Sequence, residues 1–277
     1  LYGSQAKERA VIKIGISEVG QGTLGAMAQV AAETLGLAYS QVTMVNEDTS
    51  EVPEAGSCSA SRLSFMAGNA IKLACEATLE SWEAGQRPAI EERTFHPRPT
   101  SMYDPDTGVC DPHVTYGYGT QIVEVSVDSQ TGEVRLRKVW AAHDVGRAIN
   151  PLHVEGQIEG AISQAQGWTL LEDFIMEDGH LRTKSYADYL IPTVYDMPDE
   201  IHPLVLEIAD PQGPYGVRGL GEMPMLVLAP AILDAIHDAT GIWFTRLPVK
   251  AEDVLLALAA REEAGQQGIA EPGGAAR

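Results

Sequence analysis

Apolar residues change their spacing several times along this chain, and each change marks an element. Val11 to Ile16 is a short apolar run of the length of a buried strand, and after Gly20-Gln21-Gly22 the positions Leu24, Met27, Ala28, Ala31 and Leu35 recur at helical spacing until Gly36. Val42 to Val45 reads as a second strand. Leu63, Met66, Ala67, Ala70, Ile71 and Ala74 then share one face of a second helix, entered from the small-residue loop Gly56 to Ser61. The first third therefore predicts strand, helix, strand, helix.

Residues 85–115 lose this periodicity and carry Pro88, Pro97, Pro99, Pro105 and Pro112, so they read as a long connection and the best internal boundary. Gln121 to Val127 and Val134 to Val139 alternate on either side of Asp128-Ser129-Gln130-Thr131-Gly132-Glu133, which predicts a hairpin. After Asn150-Pro151, the residues Val154, Ile158, Ala161, Ala165 and Trp168 fall on one helical face. A strand around Leu204 to Ile208 leads to a glycine-rich run and a helix from Pro224, which Pro230 should break or kink before Ala231 to Ala239. Pro248 to Leu258 predicts a last short helix with Val254, Leu255 and Leu258 inward.

Paired strands mixed with helices predict an α+β fold rather than a doubly wound sheet. The expected layout is a first βα half over 1–84, the proline-rich connection over 85–115, and a second α+β half over 116–260. Residues 261–277, rich in Glu, Gln, Gly and Ala, are expected to be a mobile tail.

With 277 residues, 44% of them hydrophobic, the chain can bury a sizeable core. Nineteen basic residues against 39 acidic ones give a net charge of −20, which argues against nucleic acid or an anionic membrane surface as partner. The sequence contains no uninterrupted apolar stretch of about 18 residues and no basic-then-apolar leader, so a cytoplasmic protein is expected. Cys58, Cys75 and Cys110 are odd in number and widely spaced, which fits neither a disulfide framework, nor structural zinc, nor an iron–sulfur cluster held by this chain. The first strand comes so early that a partner chain or an absent segment is expected to cover it.

Candidate chemistry concentrates in Gly216-Val217-Arg218-Gly219-Leu220-Gly221-Glu222-Met223-Pro224. Three glycines converge there on one carboxylate just before Pro224, a residue suited to a first helical turn, so Glu222 should stand near a helix N-terminus. Arg218 could grip a substrate carboxylate or pair with a neighbouring acid. Gly20-Gln21-Gly22-Thr23-Leu24-Gly25 matches a dinucleotide fingerprint, with Glu47 and Asp48 downstream as ribose partners. The intervening Ser17-Glu18 and the later hairpin speak against that reading. A glycine turn feeding a helix still offers amides to a phosphate, as does the Ser57-Cys58-Ser59-Ala60-Ser61 loop. Gln164 and Gln166 are polar positions on a small, apolar helix. His143-Asp144 reads as structural, because strand neighbours face opposite ways.

Taken in order, Glu18-Val19-Gly20-Gln21-Gly22, Ser59-Ala60-Ser61-Arg62, Ala141-Ala142-His143-Asp144-Val145-Gly146, Ile149-Asn150-Pro151, Glu155-Gly156-Gln157-Ile158-Glu159-Gly160-Ala161 and Gly219-Leu220-Gly221-Glu222 resemble the xanthine dehydrogenase and aldehyde oxidase family of molybdenum hydroxylases. The match is to the C-terminal molybdopterin-binding half and runs from about residue 11 to residue 258. The layout is similar to family members whose large subunit is split in two, the nicotinate dehydrogenase type among them.

This resemblance implies a molybdenum–molybdopterin cofactor, as its cytosine dinucleotide, and hydroxylation of a purine- or nicotinate-type N-heteroaromatic compound with water as oxygen source. By the resemblance Glu222 matches the catalytic base, and Gly20, Gln21, Gly22, Ser59, Ala60, Ser61 and Gln164 match cofactor-binding positions, with Gln166 also available. Arg218 becomes a candidate substrate contact. No side chain is expected to ligate the metal directly. The implied partners are a second molybdopterin subunit, an iron–sulfur subunit and a flavin subunit carrying FAD. An aldehyde oxidoreductase, a NAD-linked dehydrogenase and a non-catalytic cofactor scaffold are the alternatives.

Overall fold

The computed structural model describes residues 1–266. Its elements, in order, are β1 (Ala10–Lys13), α1 (Thr23–Leu35), β2 (Val42–Val45), α2 (Leu63–Glu83), β3 (Tyr118–Val127), β4 (Val134–Asp144), α3 (Pro151–Leu170), β5 (Met176–Glu177), β6 (His180–Leu181), β7 (Glu200–Leu206), α4 (Met223–Thr240) and α5 (Ala251–Gln266). The architecture is α+β, as the mixed periodicity predicts.

The chain forms two compact units, each built from separate stretches. Residues Leu1–Gly119, Ala142–Gln157 and Val205–Met223 make the first, and Thr120–Ala141, Ile158–Leu204 and Pro224 onward make the second. The proline-rich stretch 85–115 thus lies wholly inside the first unit.

In the first unit β1 and β2 pair in parallel, with Ala10 opposite Val42 and Lys13 opposite Val45. The apolar run predicts a strand to Ile16. Pairing stops at Lys13 because the chain then moves across to bridge Glu54 through Gly15. α1 and α2 pack on each other, joining Met27, Val30, Ala31 and Leu35 to Leu63, Ala67, Ile71 and Cys75 in one core. Burial pushes the Cys75 thiol up to about 12, whereas Cys58 and Cys110 are exposed. A groove of about 610 Å³ lies along this unit, lined by Val11, Ile12, Leu63, Met66, Ile90 and Phe95 among others. A parallel pair is normally covered on both faces, so an open apolar groove beside it is unusual.

The three-stranded sheet runs in the order β3-β4-β7. The hairpin between β3 and β4 closes where Asp128 Oδ1 accepts the amide of Gln130 at 2.7 Å and the Asp128 amide donates to the Glu133 carbonyl at 2.9 Å. Apolar residues of the second unit, including Leu136, Val139, Ile158, Ile162, Leu228, Ile232, Ile236 and Val254, are fully buried.

Three further expectations change. α4 runs unbroken through Pro230, which sits on its exposed side where water can satisfy the carbonyl that the ring leaves unpaired. Trp168 is not on the inward face of α3 but 47% exposed. α5 continues to Gln266, so the start of the segment read as a tail is helical; the rest of 261–277 lies outside the described residues.

Candidate functional site

Three segments distant in sequence meet in the first unit: the glycine turn before α1, the serine loop before α2 and the glycine-rich run before α4. The glycine turn folds around Glu18. One carboxylate oxygen, Oε1, accepts the amides of Gly20 at 3.0 Å and Gly22 at 2.9 Å, and the other accepts that of Leu24 at 3.0 Å. Partial burial alone would raise the Glu18 pKa, but the amides of Leu24, Gly22 and Gly20 outweigh it and hold the carboxyl below the ordinary glutamate value. The amides that spacing alone offered to a phosphate are therefore already bonded within the chain.

Gly22 caps α1 in the left-handed region, φ 77°, and a β-carbon there would stand 2.7 Å from His153 Nδ1. No residue with a side chain fits that turn unstrained. Gln21 folds back over it: Oε1 accepts the Val19 amide at 2.7 Å and Nε2 donates to the Ser17 carbonyl at 2.9 Å. The same Nε2 lies 3.9 Å from Cys58 Sγ, so the glycine turn and the serine loop are neighbours.

The serine loop has the opposite character. Ser57, Cys58, Ser59 and Ala60 are exposed, and the α2 N-cap residue Arg62 makes no side-chain capping bond. Arg62 instead stitches the loop from beneath, its Nε donating to the Ser57 carbonyl at 3.0 Å. Ala60 and Ser61 both take left-handed conformations, φ 53° and 51°, which are unfavourable for residues bearing a β-carbon.

The glycine-rich run docks on this loop. Ser61 Oγ accepts the Glu222 amide at 2.9 Å, and a β-carbon on Gly219 would come within 1.8 Å of the Ser61 carbonyl oxygen. Glu222 immediately precedes α4, at the helix N-terminus that the sequence predicts. Glu222 is exposed among the described residues.

Arg218 anchors the other end of the run. Its guanidinium lies 3.3 Å from Asp144 Oδ2 and 3.0 Å from Asp210 Oδ2, with all three side chains nearly buried, and donates to Thr115 Oγ1 at 3.1 Å and the Tyr116 carbonyl at 2.9 Å. Burial raises the Asp210 pKa, yet the Thr115 hydroxyl, the Gln212 amide and the Arg218 charge together hold it below the ordinary aspartate value. Asp144 Oδ1 further accepts the amides of Gly146 at 2.9 Å and Ile208 at 3.0 Å. Of the two roles the sequence leaves open for Arg218, pairing with neighbouring acids is the one this geometry displays.

Gln164 and Gln166 lie in the second unit and are sharply different. Gln166 is buried and donates to the Asp196 carbonyl, whereas Gln164 is exposed. Among the described residues, no group of three or more His, Cys, Asp or Glu side chains could hold a metal ion, and no helix is long and apolar enough to cross a membrane.

Sequence reasoning passes over Glu18 as a cap, Arg62 as a stitch, and Asp144, Asp210 and Thr115 as the seat of Arg218. Glu18 carries a usable signal, a carboxylate two residues before a Gly-x-Gly turn. Asp144 and Thr115 carry none, because their partner is supplied by distant chain, whereas Asp210 stands close to Arg218 in sequence.

The family described as a molybdopterin cofactor-binding domain matches residues 5–87 and 77–198 of this chain. The chain is similar to a probable xanthine dehydrogenase subunit of Bacillus subtilis, with 33% identity covering 88% of this chain and 37% of that protein. It is also similar to the gamma subunit of the 6-hydroxypseudooxynicotine dehydrogenase complex of Paenarthrobacter nicotinovorans, with 32% identity covering 89% of this chain and 36% of that protein. Among solved structures, the aldehyde oxidoreductase of Desulfovibrio gigas superposes with a TM-score of 0.81 and 28% identity, over 90% of this chain and 29% of that one. The chain thus spans little more than a third of the length of these two curated relatives.

Proposed function

We propose a function from one premise: this chain belongs to the molybdopterin cofactor-binding family of the xanthine dehydrogenases and aldehyde oxidoreductases. On that premise it is the cofactor-binding part of a molybdenum hydroxylase that acts on an N-heteroaromatic compound of the purine or nicotinate type, with water as oxygen source. Two similar proteins are named for xanthine and for 6-hydroxypseudooxynicotine, which supports this substrate class.

The observation that carries the reading is the pairing of an open serine loop with an exposed carboxylate. The hydroxyls of Ser57 and Ser59, which bond each other at 3.0 Å and leave one proton free, and the uncapped start of α2 are a donor set suited to a phosphate. Those residues fit a phosphate-bearing pterin, and the cytosine dinucleotide is the form that the family resemblance implies. When bound, the molybdenum centre supplies the two-electron oxidation. Glu222 is the base that this chain contributes, accepting a proton at a carboxylate oxygen, and Gln21 holds the adjoining turn in shape. Gln164, in the second unit, is a cofactor position by the family resemblance alone, and Gln166 donates to the Asp196 carbonyl. Arg218 serves the frame and not the substrate.

The rest of the assembly comprises a second molybdopterin portion, an iron–sulfur portion and a flavin portion with FAD. The apolar groove beside β1 and α2 and the exposure of Glu222 both call for cover from such neighbours. Both of the curated relatives above are named as subunits, one of them of a complex, which agrees with a multi-chain assembly.

Purified with its co-purifying chains, the protein should carry molybdenum and pterin together, and Glu222→Gln should abolish hydroxylation while retaining both. A metal-free complex would remove the reading, and full turnover by Glu222→Gln would leave only a cofactor scaffold. Oxidation of aldehydes is the second reading, favoured by the superposition on an aldehyde oxidoreductase, and substrate screening of the loaded complex separates the two.

A further inference from the structure

We infer that Ser61 is a positioning residue for Glu222. The inference deepens the proposed function, since it rests on Glu222 acting as base. Four observations converge on it. Ser61 Oγ accepts the backbone amide of Glu222 at 2.9 Å, which places its hydroxyl on the residue that carries the carboxylate. Ser61 reaches that point only by taking a left-handed conformation directly after a left-handed Ala60, two consecutive departures from the backbone that such residues prefer. The Ser61 carbonyl oxygen sits where a β-carbon of residue 219 would be, 1.8 Å away, so the approach is possible only because Gly219 lacks one. Arg62 fixes the loop from the other side, through the Ser57 and Ala55 carbonyls.

These features form one device. A loop preformed by Arg62 presents Ser61, the glycine-rich run closes on it without side-chain interference, and one hydrogen bond sets the position of the Glu222 backbone at the head of α4. An exposed carboxylate has few contacts of its own to hold it, so its placement has to come from the main chain. Small displacements of a reacting group from its productive position cost large factors in rate.

The decisive variant is Ser61→Gly, because glycine relieves the left-handed strain while removing the hydroxyl. The strain so relieved offsets the freedom that glycine adds to the unfolded chain, so the loss reads out chiefly the bond. The variant is compared with the parent and with Glu222→Gln in the complete complex, by hydrogen exchange at the Glu222 amide, molybdenum and pterin content, and kcat against KM. Ser61→Gly should exchange the Glu222 amide about tenfold faster. It should keep its molybdenum and pterin, and lower kcat by roughly 10- to 100-fold with little change in KM. Parental exchange and parental kcat in Ser61→Gly would overturn the inference, as would loss of pterin with unchanged turnover per molybdenum, which would make Ser61 a cofactor donor. Should Glu222→Gln itself retain turnover, the base assignment falls while the exchange measurement still decides whether Ser61 holds the Glu222 backbone.

Discussion

At the start of α1 the amides of Gly20, Gly22 and Leu24 all point to Glu18, whereas at the start of α2 the N-cap residue makes no capping bond and the serine loop stands open. Both loops are short, small-residue entries to a helix, and a helix N-terminus attracts an anion by its unpaired amides whatever the fold. One loop has brought its own anion. The other has Arg62 beneath it and exposed hydroxyls on top. Spacing alone does not separate a phosphate site from a self-capped turn, and the position of the nearest carboxylate does.

The difference also has a mechanical side. The glycine turn relaxes at glycines, where positive φ is inexpensive. The serine loop puts positive φ on Ala60 and Ser61, where each such residue costs on the order of 1 kcal/mol or more. Strain of that kind persists only when surrounding contacts impose it, and here they are Arg62 on one side and the run from Gly219 to Glu222 on the other.

The largest way to break the contrast is to remove the anchor of that run. Arg218→Ala would leave Asp144 and Asp210 as buried carboxylates without their cation, at a cost of about 3–5 kcal/mol. Chemical denaturation should show a loss of that size, together with faster hydrogen exchange through residues 216–222. A loss below about 1 kcal/mol, typical of exposed pairs, would mean that the guanidinium contributes no more than a surface ion pair.

A smaller effect tests the open loop directly. Ser59→Glu gives the serine loop the kind of carboxylate that the glycine turn already has at Glu18. If a phosphate occupies the serine loop, pterin and molybdenum content should drop about tenfold or more through like-charge repulsion, with the midpoint of thermal unfolding nearly unchanged because Ser59 is exposed. Full cofactor content in Ser59→Glu would move the phosphate elsewhere.

Much of the frame behind this contrast is legible in the sequence. The helical spacing from Leu24 to Leu35 with its glycine stop, the Val42 to Val45 strand and the hairpin around Gly132 are local patterns, and local physics makes them. Glu222 before a helix is legible for the same reason. What lies beyond reading is every feature made by chain returning from afar. Asp144 and Thr115 join the nearby Asp210 as a seat for Arg218 only after folding, and Ser61 meets Glu222 across most of the chain. Pro230 misleads, since a proline on the solvent side of a helix can be accommodated.

The smallest predicted effect sharpens the other half of the comparison. Glu18→Gln keeps one acceptor oxygen but turns an amino group toward a backbone amide, so α1 should lose about 1 kcal/mol of capping. The sign of its pH dependence follows from the depressed carboxyl. Because the folded pKa lies below the unfolded one, near 4.3 for an ordinary glutamate by rough reference, the stabilisation by Glu18 is fully present above that value and fades as pH falls through the folded pKa. The stability difference between parent and Glu18→Gln should therefore be constant around neutrality and shrink in acid, while molybdenum content at neutral pH stays the same in both proteins. If the variant loses its cofactor with its fold intact, the glycine turn would be part of the phosphate site after all, and the contrast between the two loops would disappear.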